Sequence, residues 1–193
     1  MQGYMYGIVI GGPVLWAVPF PLFRSKQPGA PSRDRRARWG VALECIGYTL
    51  LWQGSFWTRS PAPWQTVASI VFFAMAALLS WTAARALGRH LRVDAALDSN
   101  HELIRAGPYR FVRHPIYTSM LCVLAGTGLM MAPVYLCIPG LALFLIGTEI
   151  RMRVEDALLA SRFPEQFLEY RRTVPRLIPG AMLLSSVAGH KHA

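Results

Sequence analysis

This sequence predicts an all-α integral membrane protein of about five transmembrane helices, with a helical hairpin and cytoplasmic segments in its C-terminal half. Three observations predict that class. Of 193 residues, 53% are apolar and only 16% charged, against roughly 25% charged in an ordinary soluble domain. The apolar residues fall in five runs near the ~20-residue length that spans a hydrocarbon core. The net charge of +10 is placed between those runs in alternation, as the positive-inside rule requires.

The first run is Met5 to Phe23, uncharged and punctuated by Pro13, Pro19 and Pro21, which should kink it. It lacks a basic start and a small-residue cleavage site, so a retained span is expected rather than a cleaved signal peptide. Trp39 to Trp57 is the second run, with one acid, Glu44, and Trp64 to Leu87 is the third. Pro115 to Met131 and Ala132 to about Ile150 are the fourth and fifth. The near-absence of a linker between these last two predicts a tight helical hairpin. Arg-rich segments lie between the first and second runs, between the third and fourth, and after the fifth. Nineteen of the twenty Lys and Arg then fall on one side, with only Arg59 opposite. The expected topology puts the N-terminus outside and the C-terminus in the cytoplasm.

A basic soluble protein would suggest nucleic acid. Here the apolar excess assigns the charge to topology and to anionic lipid, with no nucleic-acid partner. The three cysteines, Cys45, Cys122 and Cys137, lie in apolar runs and form no CxxC. Neither a disulfide framework nor a thiolate metal site is expected. His190 to His192 reads as a solvated tail, and no metal is predicted. Gly126 and Gly128 lie inside an apolar run and read as packing glycines. Neither GxGxxG nor a Walker sequence occurs, so both soluble nucleotide-binding fingerprints are missing.

Polar residues concentrate in two stretches, Arg85 to Tyr117 and Glu149 to Arg176. In the first, Gly107-Pro108 marks a turn, and Tyr109, Phe111 and Val112 suggest a short extended piece. Pro115 suits the first position of a helix, which puts Arg113 and His114 at its N-terminal end. Free N–H groups there favour a carboxylate or phosphate. Arg113 could equally snorkel to lipid headgroups. In the second stretch, Glu149, Arg153 and Asp156 share one helix face, either as solvated ion pairs or as functional groups at the membrane edge. Leu158, Leu159, Phe163 and Phe167 suggest an amphipathic helix on the bilayer, broken at Pro164.

Taken together, GPYRFVRHPIY and the later RVEDALLASRFPEQFLEYRRTVPRLIP resemble the isoprenylcysteine carboxyl methyltransferase family, including its bacterial-type relatives and, more distantly, phospholipid N-methyltransferases. The resemblance covers roughly residues 85 to 180. It is carried by Arg113-His114-Pro115-Ile116-Tyr117, by Glu155-Asp156, and by Phe163 with Tyr170. His101-Glu102-Leu103-Ile104 and Gly107-Pro108-Tyr109 add to it. The chain departs at Asp156, where Glu is usual, which shortens any acid contact there. It departs again at Ser119, where Gly is common, which would narrow the hairpin.

The resemblance implies an S-adenosylmethionine-dependent methyltransferase of the membrane acting on a lipophilic acceptor. Residues 1–87 would be a three-span scaffold and residues 88–193 the catalytic half. The implied cofactor-binding residues are His101, Leu103, Ile104, Gly107, Tyr109, Arg113, His114, Pro115, Tyr117 and Glu155. Glu149 and Arg153 are the implied catalytic pair. Arg113 and His114 suit the cofactor's carboxylate, and Glu149 or Glu155 its ammonium or ribose. The lipid bilayer and the acceptor are the expected partners. Acceptor identity, use of a general base, oligomeric state and the role of Glu44 stay open. Two other readings stand beside this one: an NADPH-dependent membrane sterol or isoprenoid reductase, and a non-enzymatic small membrane subunit.

Overall fold

A computed structural model describes residues 3–23, 35–53, 60–88, 91 and 103–178. The described residues contain helices and turns and no strand. Helix α1 (Gly3–Ala17) is followed by the short α2 (Pro19–Phe23), then α3 (Arg35–Leu51) and α4 (Pro63–Leu87). After a 3-10 turn at Gly107–Arg110 come α5 (Pro115–Met131), α6 (Val134–Arg162) and α7 (Pro164–Thr173). Among the described residues, three helical segments are long and apolar enough to cross a membrane: Gly3–Phe23, Pro63–Leu87 and Val134–Arg162. Pro115–Met131 is a shorter apolar helix. At 1.5 Å per residue, its 17 residues reach about 25 Å. Large apolar side chains such as Ile10, Val14, Leu78, Ile138 and Ile146 are exposed on these helices, the surface of a membrane protein.

The prolines act unequally. Pro13 lies inside α1 without ending it, whereas the break comes before Pro19, which opens α2. Pro115 begins α5 with His114 as the N-cap, because a missing N–H costs nothing in the first turn. Phe163 separates α6 from α7, and Pro164 starts the new helix.

The expected hairpin of consecutive runs is a loose one: only Ala132 and Pro133 separate α5 from α6, and the two helices meet through side chains, in the buried cluster of Leu124 and Phe144 and where Tyr117 meets Arg151 and Glu155, while their backbones stay apart. Helix α6 packs chiefly on α3, and α5 chiefly on α4. Glycines explain the choice. Gly40 and Gly47 of α3 face Gly147 and Gly140 of α6. A Cβ on Gly147 would lie 2.5 Å from the Gly40 carbonyl oxygen, and one on Gly47 would lie 2.7 Å from that of Gly140. The backbones meet there as closely as small residues permit. Tyr48 of α3 reaches across to α5, donating to the Met120 carbonyl at 2.6 Å. Its ring meets Phe144 of α6 edge-on at 5.7 Å.

On the other side of the molecule α5 is the central element, with Ser119, Thr127 and Met130 among its fully enclosed residues. Phe73 of α4 packs with Cys122 and Val123. Ser69 donates to the Gly126 carbonyl at 2.9 Å, and a Cβ on Gly126 would meet the Phe73 ring at 3.0 Å. Gly126 and Gly128 are thus packing glycines, as expected. Ser119 does not face the gap between α5 and α6. It accepts from Trp16 Nε1 at 2.8 Å and so ties α1 to α5.

The glycine seam yields a stability prediction. Gly147→Val should lower the melting temperature of the detergent-solubilised protein, at an overpacking cost of about 1–3 kcal/mol. Gly7→Ala, where nothing lies within 4 Å of the added carbon, should leave the melting temperature unchanged or slightly raised.

Candidate active site

Both polar stretches meet at one end of the helix bundle. The 3-10 turn, rather than an extended piece, brings the chain to α5. It starts at Gly107, whose φ of 60° lies in the left-handed region open to glycine. Tyr109 and Val112 turn inward, and Phe111 is exposed. Tyr170 of α7 donates its hydroxyl to the Tyr109 carbonyl at 2.6 Å. Phe167, Tyr170 and Val174 form a buried cluster with Leu103, Leu159 and Phe163. The apolar side of α7 therefore packs on the 103–113 segment and the end of α6, where an amphipathic helix lying on the bilayer had been expected.

The segment after α7 crosses the start of α5 as a strap. The Arg113 amide donates to the Pro175 carbonyl at 2.8 Å, and the His114 amide to the Arg176 carbonyl at 3.0 Å. Arg113 Nε donates to the Val174 carbonyl at 3.1 Å, and Thr118 Oγ1 to the Leu177 carbonyl at 2.7 Å. Pairing these polar groups removes the penalty of burying them bare.

Asp156 is the hub beneath the strap. Arg113 Nη1 donates to its Oδ2 at 3.0 Å, and His114 Nε2 lies 2.9 Å from its Oδ1. Arg176 Nε reaches Oδ2 at 3.2 Å. The acid expected to make the weaker contact, being one methylene short, is thus the one shared by three basic side chains. Glu155 takes the other side of His114, whose Nδ1 is 3.4 Å from Glu155 Oε2. Tyr117 donates its hydroxyl to Glu155 Oε1. An imidazolium, a donor at both nitrogens, satisfies both acids. Burial opposes charge on His114, but hydrogen bonds to Asp156 and Glu155 outweigh it and raise the pKa above the ordinary 6.5. Burial and then the Glu155 charge push the Tyr109 phenol well up, so it stays neutral.

Glu149 sits at the rim. Arg176 Nη1 lies 2.9 Å from both of its oxygens, and Arg153 Nε donates to Oε1 at 2.6 Å. The Arg153 side chain is 75% exposed and touches the cluster only through Glu149.

The described candidates thus differ in setting. Arg113, His114, Pro115, Tyr117 and Glu155 converge with Asp156. Tyr109 and Leu103 wall the same end, Ile104 is half-buried, and Gly107 supplies the turn. Glu149 and Arg153 lie outward, and His101 lies outside the described residues. The sequence reading passed over Arg176 and Arg151. Arg176 is 20 residues from Asp156, beyond any helical periodicity. Its only sequence signal is its place in the Val174-Pro175-Arg176 run.

Two predictions follow from this hub. Asp156→Asn removes the charge answering Arg113, His114 and Arg176, which should cost about 1.5–3 kcal/mol. Glu149→Gln, at the exposed rim, should cost under about 1 kcal/mol. Thermal melts of both variants check the ranking. The raised pKa of His114 also makes its contribution depend on pH. That contribution is full below the unfolded value of about 6.5 and is lost as pH rises through the higher folded value. The wild-type melting temperature should fall on that rise, and His114→Asn should flatten the fall.

The sequence profile of the isoprenylcysteine carboxyl methyltransferase family matches residues 68–161. The cobalt-zinc-cadmium resistance protein CzcN of Cupriavidus metallidurans is 36% identical over 80 residues, covering 42% of this chain and 37% of that protein. The nickel-cobalt-cadmium resistance protein NccN of Alcaligenes xylosoxydans xylosoxydans is 37% identical over 86 residues, 44% of this chain and 39% of that protein. The chain thus spans well under half the length of these relatives. The profile match contains Arg113, His114, Tyr117, Glu155 and Asp156 together. Over residues 68–161, from within α4 to near the end of α6, the chain is thus similar to the isoprenylcysteine carboxyl methyltransferase family.

Proposed function

We propose that this protein is an S-adenosylmethionine-dependent methyltransferase whose acceptor is a lipophilic molecule of the bilayer, with residues 88–193 as its catalytic half. The observation that carries the reading is the convergence of Arg113, His114 and Arg176 with Glu149, Glu155 and Asp156 at one end of an apolar bundle. Basic and acidic groups side by side fit the zwitterionic end of the cofactor, a carboxylate beside an ammonium. The three acids would repel the phosphates of a nicotinamide dinucleotide, which supports methyl transfer over the reductase reading.

In this reading Arg113 and His114, whose donors Asp156, Glu155 and the Val174 carbonyl take in this structure, turn to the cofactor's carboxylate when it binds at the start of α5, where the helix dipole assists them. Glu155 takes the ammonium or a ribose hydroxyl. Leu103, Ile104, Tyr109 and Tyr117 give apolar walls for the adenine. The bound cofactor supplies a methyl group on a sulfonium, which needs an aligned acceptor and exclusion of water more than acid–base help. Glu149 and Arg153, at the rim, are proposed to face the acceptor. The names of the two relatives describe metal resistance.

Isothermal titration of the solubilised protein with S-adenosylhomocysteine and with NADPH tests the assignment. The homologous product should bind and NADPH should not, and the reverse would sink the reading. Arg113→Ala and Glu155→Gln should each weaken S-adenosylhomocysteine about tenfold to a hundredfold, the scale of a charged hydrogen bond. Glu149→Gln should leave affinity near wild type and lower turnover.

We further propose five crossings, with the N-terminus outside and this site in the cytoplasm. Reporters fused after Arg36 or at the C-terminus should read cytoplasmic, and one placed near Ser60 external. A periplasmic C-terminus would exclude this topology.

A further inference from the structure

Glu44 lies in the middle of α3 and is only 2% exposed. An ionised side chain among membrane helices is expensive and persists where partners answer it. Three residues of α6 are arranged around this one. Gly147 leaves it room, since a Cβ there would lie 3.1 Å from Glu44 Cγ and from its backbone nitrogen. Thr148 Oγ1 donates to Oε1 at 3.0 Å. Arg151 Nη1 donates to Oε2 at 2.7 Å.

Arg151 is used twice. Its guanidinium carbon lies 4.8 Å from the centroid of the Tyr117 ring, within cation–π range. Tyr117 in turn donates to Glu155, which faces His114. A chain of contacts therefore runs from α3 through α6 to the first turn of α5 and into the acid pair. An arginine left to itself samples many rotamers. Anchored on Glu44 at one edge, it presents its flat face to the Tyr117 ring without that loss.

We propose that Glu44 is a positioning residue of the site: it fixes Arg151 over Tyr117, and so sets the direction in which Tyr117 holds the Glu155 carboxylate. The consequence for cofactor affinity rests on the methyltransferase reading above, whereas the positioning itself does not. Glu44 lies outside residues 68–161, so the device belongs to the part of the chain that the family profile leaves unmatched. A purely structural Glu44 would hold α3 to α6 and leave Tyr117 unaffected.

The full-length protein in detergent, carrying ring-¹³C tyrosine, separates the two. The Tyr117 resonance is identified by its loss in Tyr117→Phe. Glu44→Gln should shift it, because the ring loses its fixed cation. Thr148→Val, which removes the other bond between α3 and α6 at this point, should lower the melting temperature and leave that resonance in place. S-adenosylhomocysteine affinity should fall roughly twofold to thirtyfold in Glu44→Gln, the range of a cation–π contact. In a Tyr117→Phe background the same substitution should add less than about twofold.

An unmoved Tyr117 resonance, an equal shift in Thr148→Val, or a fully additive affinity loss would each overturn the proposal. Should Glu44→Gln not fold, Glu44→Asp is read the same way, since its charge is kept one methylene short of Arg151. A wild type that binds no S-adenosylhomocysteine, yet whose Tyr117 resonance responds to Glu44, would remove the cofactor reading and support the positioning.

Discussion

A single carboxylate, that of Asp156, meets Arg113, His114 and Arg176 from two separate parts of the chain. The rest of the site depends on those contacts. Each charge would be costly to bury alone. Together with Glu155 and Glu149 the charges offset one another, and the Val174 carbonyl of the strap takes Arg113 Nε. To reach this level α6 must continue well past its apolar part, and its 29 residues carry Glu149, Glu155 and Asp156 out to the start of α5. The strap could not cross without its hydrogen bonds to the Arg113 and His114 amides, which are free because a helix start leaves its first N–H groups unpaired.

Helix packing sets how closely the backbones of α5 and α6 approach. Glycines on α3 and α6 allow a closer approach than α5 offers, so α6 turns to α3 and α5 turns to α4. Tyr48 then bridges the divergence from α3, touching both α5 and α6. The same seam carries Glu44 and Arg151, so the contact that holds α3 to α6 also touches the site through Tyr117. Helix packing and site geometry are thereby coupled through a few polar side chains, each with a partner.

Much of this was legible in the residues. The third run, Trp64 to Leu87, and the fourth, Pro115 to Met131, match α4 and α5 closely, because long uninterrupted apolar runs bounded by proline leave few alternatives. The break at Pro164 was legible for the same reason. Arg113 and His114 could be placed at a helix start because Pro115 marks it, and Glu149 with Arg153 could be paired because both lie on one helix four residues apart. These are local facts, and local chemistry determines them.

What the sequence alone determined is therefore the helical class, the position of most helices and the two polar stretches that form the site. Tertiary structure decided the partners. A two-residue link makes α5 and α6 neighbours, but connectivity does not choose the closest packing partner, and burial favours the surfaces that fit closest. The glycines that override it face each other across some hundred residues. The standing of Asp156 over Glu149, the entry of Arg176, and the use of Glu44 and Arg151 were hidden for the same reason. Each depends on charges that meet only after the helices have packed, and no spacing along one helix encodes a contact between two.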